Sequence, residues 1–341
     1  MKSTMLAAVF EGEGQLRIKE VPVPEIKEPD DVLIEVEICG VCGTDLQILA
    51  VPPGHPAEKG VILGHEYIGR VIEVGPEVTN VKVGDRVVVA PDIPCGLCLP
   101  CRMGMPNLCD NARSIGVFED GGFARLSRVP AKAVIRISES LPREEAVFIE
   151  LLACVVGGSQ KIRLQPGEKV LILGAGPVGL CFLKVFKAAG AGKVIMAEVS
   201  PYRIEFARRE GADLVVNPEE ENLAEVIARE TGMGPDVVVD AVGSLFPLAV
   251  ETVRKGGTVL LFGMNRQAVK PLRQYDITVK DLTVLGSNVG RFTFPSAIAM
   301  LESGRVSLAS LITHTVSLRG LGDAIEALRR REGIKAVVIP E

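Results

Sequence analysis

Four closely spaced cysteines, Cys95, Cys98, Cys101 and Cys109, have the uniform sulfur chemistry of a closed tetrahedral zinc site. Such a set can staple a lobe, and it leaves no position for a reactant. The last gap, Cys101 to Cys109, fits neither bacterial nor plant iron–sulfur spacing. A second group differs in kind. Cys42 and the run Gly64-His65-Glu66 offer sulfur, nitrogen and oxygen, a mixed set that suits a zinc keeping one position for water or an alcohol. Gly40, Gly43 and Gly64 flank these donors with permissive backbone. A further ligand is Glu150 or Cys154, which are four apart and share a face if that segment is helical; spacing does not choose between them. His55, in a Pro-Gly loop, and His314, in an expected strand of the tail, read as structural.

A third motif concerns a dinucleotide. Gly174-Ala-Gly176-Pro177-Val178-Gly179 stands between an expected strand and an expected helix, the context in which a glycine pattern carries weight. Gly174 permits the tight turn, Gly176 lets backbone amides approach a pyrophosphate, and Gly179 allows close helix packing, with the phosphate on the helix N-terminus. The next strand ends at Glu198, where an acid accepts hydrogen bonds from ribose hydroxyls and repels a 2′-phosphate. NAD is therefore favoured over NADP. Arg203 stands against this, since it could clamp such a phosphate; otherwise it is a solvated side chain in a helix's first turn.

These residues need elements to position them. From Leu6 to about Ile137 short alternating or β-branched runs are broken by Gly and Pro, as in Asp31–Ile38, Val71–Val74, Arg86–Val89 and Ala133–Ile137, which predicts a β-rich lobe. Beyond Leu164 strands and helices alternate. Strands are expected at Val170–Leu173, Val194–Glu198, Leu214–Val216, Val237–Asp240, Thr258–Phe262 and Leu282–Leu285. Helices are expected at Pro177–Ala189, after a Ser200-Pro201 cap, near Glu219–Thr231 and at Leu245–Val253. That rhythm makes an α/β chain with a doubly wound parallel sheet. The tail from about Asn288, with helical runs at Phe294–Ser303 and Leu321–Arg331 and a strand at Ala336–Ile339, is expected to return to the β-rich lobe.

Composition excludes several classes. The 341 residues call for more than one core, and a formal charge of −5 with intermixed signs argues against a nucleic-acid surface. No apolar run approaches the ~18 residues of a membrane span. The segment Met1–Phe10 reads as a first β-strand, not a secretory signal, and eight cysteines in such a chain imply a reducing, cytoplasmic setting where thiols stay available to metal.

Taken together, these motifs resemble those of the zinc-dependent medium-chain alcohol dehydrogenases, in the polyol (sorbitol-like) and threonine dehydrogenase branch. The resemblance spans the chain and rests on Gly64-His65-Glu66-Tyr-Ile-Gly69 with Gly75 and Val78, Cys39-Gly-Val-Cys42-Gly-Thr44-Asp45, the four cysteines and the glycine turn. It implies a GroES-like catalytic domain over 1–150 and 288–341, with a structural-zinc lobe at about 91–112. A Rossmann coenzyme domain would occupy 151–287, with the active site in the cleft between the two. Cys42, His65 and Glu150 would hold the catalytic zinc, with Glu66 an additional or exchangeable ligand. Thr44 would take the proton of the reacting hydroxyl, Asp45 would orient His65, and Val242 and Gly263 would lie in segments lining the nicotinamide pocket. Two departures stand out. Gln47 occupies the place of a proton-shuttling His and cannot titrate near neutrality. Leu151 follows Glu150 where proline is usual, which changes how rigidly the acid is presented.

The implied activity is reversible hydride transfer between NAD and a secondary alcohol of a small polyol or sugar derivative, by a homodimer or homotetramer. The alternatives are a threonine-type or general alcohol dehydrogenase, a zinc-free NADPH-dependent enone reductase on the same scaffold, and a non-catalytic NAD-binding zinc protein.

Overall fold

A computed structural model of the chain describes residues 3–341. Of the expected first strand, Met1 and Lys2 lie outside the described residues, and β1 runs Thr4–Gly12, paired antiparallel with β2 (Gln15–Pro22). Contacts divide the chain into two units, one comprising the residues up to Leu152 with Phe294–Glu341, the other Ala153–Thr293.

The first unit is built on β3 (Asp31–Gly40), whose Val32, Leu33, Ile34, Val36 and Ile38 are all buried. Each such side chain contributes roughly 1.5–3 kcal/mol by leaving water. β3 runs into α1 (Gly43–Ile48) and then pairs with β4 (Glu66–Val74), which pairs with β5 (Arg86–Val89). The cysteine lobe follows, with β6 (Asp92–Ile93), α2 (Leu99–Arg102) and β7 (Arg113–Ser114); β6 and β7 form a small sheet of their own. β8 (Leu126–Pro130) pairs with β3, and β9 (Val134–Arg136) with β5. α3 (Arg143–Ala146) leads to α4 (Ile149–Ser159), inside which the division between the units falls.

In the second unit β10 (Lys169–Leu173) begins a six-stranded parallel sheet among the described residues. The chain continues through α5 (Pro177–Ala188), β11 (Lys193–Ala197), α6 (Pro201–Arg209), β12 (Leu214–Val216), α7 (Leu223–Thr231), β13 (Val237–Asp240), α8 (Phe246–Thr252), β14 (Thr258–Leu261), α9 (Gln274–Val279) and β15 (Thr283–Gly286). The strand order is β12-β11-β10-β13-β14-β15, the doubly wound topology expected. Ser200 caps α6, its hydroxyl accepting from the Arg203 N–H, and Pro201 fills the first turn. Two details differ from the sequence reading. α7 begins only after Asn222, whose side chain accepts from the Ala224 and Glu225 N–H groups and so fixes the start. α9 was not anticipated, because its six residues carry no apolar period and none is buried.

The tail contributes α10 (Phe294–Glu302), β16 (Ile312–Val316), α11 (Leu321–Arg329) and β17 (Lys335–Val338). β17 pairs antiparallel with the end of β3, matching Val337 to Gly40 and Val338 to Cys39. This register sets Lys335, the first residue of β17, near the strand end from which the chain runs to Cys42.

Candidate active site

Cys42 stands at the N-cap of α1, and the helix start is tied by the Cys42 N–H donating to Asp45 Oδ2 at 2.8 Å. Asp45 is therefore a local clamp that fixes the Cys42 loop. His65 and Glu66 arrive from the start of β4. The residue before them must be glycine: Gly64 has φ +93°, and a Cβ there would stand 2.7 Å from the Phe123 ring and 2.9 Å from Cys39 Sγ. One donor atom each from Cys42, His65 and Glu66 lies within 4.8 Å of the others. His65 and Glu66 are buried and Cys42 half-buried. Thr44 Oγ1 lies 3.6 Å from Cys42 Sγ, which sets its hydroxyl beside the group.

The four cysteines also converge, all within 4.8 Å of one another. Their environment is backbone amide. The Cys95 N–H donates to Cys109 Sγ at 3.2 Å, and the Leu97 and Cys98 N–H groups both donate to Cys95 Sγ at 3.4 Å. All four are half-buried.

In the second unit, the glycine turn follows β10 at the carboxyl edge of the sheet, beside the point where the strand order reverses. Gly176 caps α5 with Pro177 next. A Cβ on Gly179 would stand 2.0 Å from Gly174 O, so only glycine lets helix and turn meet. Asp240 organises the next loop, accepting from the Val242, Gly243 and Leu245 N–H groups at 2.8–2.9 Å. That brings a Val242 methyl over Gly174, and Gly263 donates its N–H to Asp240 O at 2.8 Å.

Residues 28–139 match the model of the alcohol dehydrogenase GroES-like domain, and residues 177–303 that of the zinc-binding dehydrogenase. The chain is 36% identical to the sorbitol dehydrogenase of Bacillus subtilis, over 98% of this chain and 97% of that protein. It belongs to the zinc-binding alcohol dehydrogenases. Among solved structures, this dehydrogenase is similar to a zinc-binding dehydrogenase from Sinorhizobium meliloti bound to NADP (TM-score 0.93, 34% identity, 99% of this chain and all of that one). It is also similar to an alcohol dehydrogenase from Escherichia coli complexed with NADH (TM-score 0.91, 31% identity, 99% of this chain and all of that one). A coenzyme-dependent oxidoreductase on a GroES-like plus Rossmann scaffold is the class to which the dehydrogenase belongs.

Its donor chemistry fits zinc at both places. In the mixed set, burial and then the Glu66 carboxylate push the Cys42 thiol up, and the same two causes push Glu150 up to about 7. Burial raises Asp45 to about 6. Burial works to lower His65, and the negative charge of Cys42, Asp45 and Glu150 outweighs it. A divalent ion beside these groups would favour the ionised forms of Cys42 and Glu150 that burial disfavours. Among the described residues His65 Nδ1 and Asp45 Oδ1 are buried without hydrogen-bond partners, and they face each other at 3.9 Å. In the cysteine lobe the Cys98 and Leu97 amides lower Cys95 to about 6, whereas burial and then Cys98 push Cys101 up to about 12. A zinc would take all four as thiolates.

Within the dehydrogenase, the segment carrying Glu150 and Cys154 is helical, and both lie on α4. Neither has an atom in the close donor group, although Glu150 is 8% exposed and acts electrostatically on His65. Glu198 sits at the end of β11, with Oε2 accepting from Ala175 N–H and Oε1 from Val199 and Ser200 N–H. Its charge is thus fixed against the glycine turn, a local role the sequence did not indicate. A Cβ on Gly176 would lie 3.6 Å from Arg203 Nη1, so that guanidinium stands over the same turn. His55 Nδ1 pairs with Pro56 O at 2.7 Å, and His314 Nδ1 with Thr313 Oγ1 at 2.9 Å. One residue was missed altogether: Lys335, 1% exposed, is ion-paired with Glu66. Its only signal is a lysine opening an otherwise apolar strand, Lys335-Ala-Val-Val.

Proposed function

We propose that the protein catalyses reversible hydride transfer between NAD and a secondary alcohol of a small polyol or sugar derivative. One zinc is held by Cys42, His65 and Glu66 with Glu150 close by, and a second by Cys95, Cys98, Cys101 and Cys109. The mixed donor group of Cys42, His65 and Glu66 carries this reading, since three convergent donors leave a fourth position for a hydroxyl. Relatives named sorbitol dehydrogenase, D-xylulose reductase and D-arabinitol dehydrogenase support polyols as the substrate class.

When bound, zinc makes loss of a hydroxyl proton feasible near neutrality, and an oxidised nicotinamide accepts the hydride that the carbon then releases. The chain's own groups do the rest. Thr44 accepts the proton from the substrate hydroxyl and passes it outward. Asp45 holds the loop that carries Cys42 and Thr44, and its second oxygen faces His65 to set the ring. The glycine turn receives the pyrophosphate on the α5 N-terminus, and Val242 and Gly263 shape the adjoining loops.

The fixed Glu198 carboxylate supports NAD, because a 2′-phosphate beside it would meet like charge. Arg203 and the NADP-bound neighbour favour the phosphorylated coenzyme, so the acid and the guanidinium compete at one place. β15 lies at the edge of its sheet, paired on one side with β14, which supports a homodimer or homotetramer through sheet extension. The use of cysteines as metal donors supports a reducing, cytoplasmic setting. Among the described residues no helix is long and apolar enough to cross a membrane. Absorbance of reduced coenzyme across alcohols, polyols and threonine, with NAD and NADP in parallel, tests the reading. Turnover on a polyol with NAD is expected; no turnover on any member of the panel by zinc-loaded protein would contradict it.

A further inference from the structure

β6 and β7 pair with each other just before and just after the cysteine lobe in sequence. The side chains of β6 alternate, with Ile93 buried and Asp92 exposed. The register sets Asp92 opposite Ser114, whose hydroxyl donates to Asp92 Oδ1 at 3.0 Å. That bond orients an accessible carboxylate. Two residues beyond Ser114 the chain packs on the peptide that presents His65: a Cβ on Gly116 would stand 2.3 Å from Gly64 O and 2.8 Å from His65 N, and the Gly122 N–H donates to Gly64 O at 2.7 Å. The ribbon is therefore docked beside the mixed donor group. Charge gives a second link, because after burial and the Glu66 carboxylate, Asp92 is a further cause of the raised Glu150. Asp92 has no atom in the close donor group among the described residues, and an exposed hydroxyl–carboxylate bond contributes little to holding the ribbon. A carboxylate only accepts, so what it can recognise is a donor such as a hydroxyl.

We propose that Asp92 is a specificity-determining residue, oriented by Ser114, that accepts a hydrogen bond from a second hydroxyl of the substrate, next to the one held at the mixed group. This rests on the polyol reading above. A diol gains a contact that a monohydric alcohol of the same skeleton lacks. Because Asp92 is exposed, water takes the place of a missing hydroxyl, and the discrimination is moderate instead of absolute.

The test is steady-state kinetics of zinc-loaded protein with NAD on butane-2,3-diol and butan-2-ol, which differ by one hydroxyl. Asp92→Ala should lower the diol-to-monool ratio of kcat/KM by roughly ten- to hundredfold, the weight of a hydrogen bond to a charged acceptor. The loss should fall on KM for the diol more than on kcat, as for a contact made equally in ground and transition states. Asp92→Asn, which keeps an acceptor and drops the charge, should lower the ratio by a smaller factor, and so should Ser114→Ala, which loosens the carboxylate. A residue that only supported the ribbon would slow both alcohols alike and lower Tm, leaving the ratio where it was. An unchanged ratio in Asp92→Ala would overturn the proposal; should that variant fail to fold, an unchanged ratio in Asp92→Asn would do so. Unsubstituted, zinc-loaded protein that oxidised neither this pair nor any polyol would overturn the functional reading instead.

Discussion

The two donor groups are made from similar atoms and built in opposite ways. The cysteine lobe draws its ligands from Cys95 to Cys109, a short run that folds back on itself, stays half-buried and cushions its sulfurs with backbone amides. The mixed group collects Cys42 from the end of β3, His65 and Glu66 from β4, and a lysine from β17 near the other end of the chain. Its His65 and Glu66 are buried, and burial pushes the Cys42 thiol and the Glu150 carboxyl toward their protonated forms. A local, uniform, amide-lined set is suited to holding a shape. A set gathered from distant strands, with unlike donors and competing charges, is suited to changing what it holds. Burial that would be a liability in a purely structural site is what gives a metal ion leverage over a hydroxyl.

Breaking the mixed group should cost activity, and breaking the lobe should cost stability. The largest effect is expected for Cys42→Ser: loss of zinc assistance worth several kcal/mol lowers kcat by roughly 10³-fold or more, with NAD affinity kept, as read by steady-state kinetics and coenzyme titration. Thr44→Val removes only the proton acceptor, so kcat should fall by about 10²–10⁴-fold while the coenzyme Kd moves less than about threefold. An unchanged rate would remove Thr44 from the proton path. Cys98→Ser should leave kcat nearly intact and lower Tm by on the order of 10 °C, since a structural zinc contributes folding free energy. A large loss of kcat with unchanged Tm would erase the contrast. The smallest effect concerns the coenzyme. Glu198→Ala should raise the NADP to NAD ratio of kcat/KM by roughly tenfold, and Arg203→Ala should lower it.

What could be read from residues alone follows the same contrast. The cysteine lobe, the glycine turn and the Gly64-His65-Glu66 run were legible because each is local, and a short spacing already implies its geometry. The parallel sheet was legible because every βα crossover repeats the same rhythm. Lys335 was not, because its place beside Glu66 depends on the register of β17 on β3, a pairing across nearly the whole chain. Nor could spacing show that Glu198 spends its oxygens on the amides of Ala175, Val199 and Ser200, since that depends on how β11 ends against the glycine turn. Glu150 and Cys154 show the limit from the other side: spacing could say only that a helix there would align them, and on α4 neither joins the close donor group among the described residues.

Stepwise chelation, following zinc content, turnover and Tm on the same sample, tests the division of labour most directly. Turnover is expected to vanish as the mixed group empties and to return on adding zinc, with the lobe's zinc leaving separately and taking Tm with it. Full turnover in protein shown to hold no metal at Cys42, His65 and Glu66 would contradict the account.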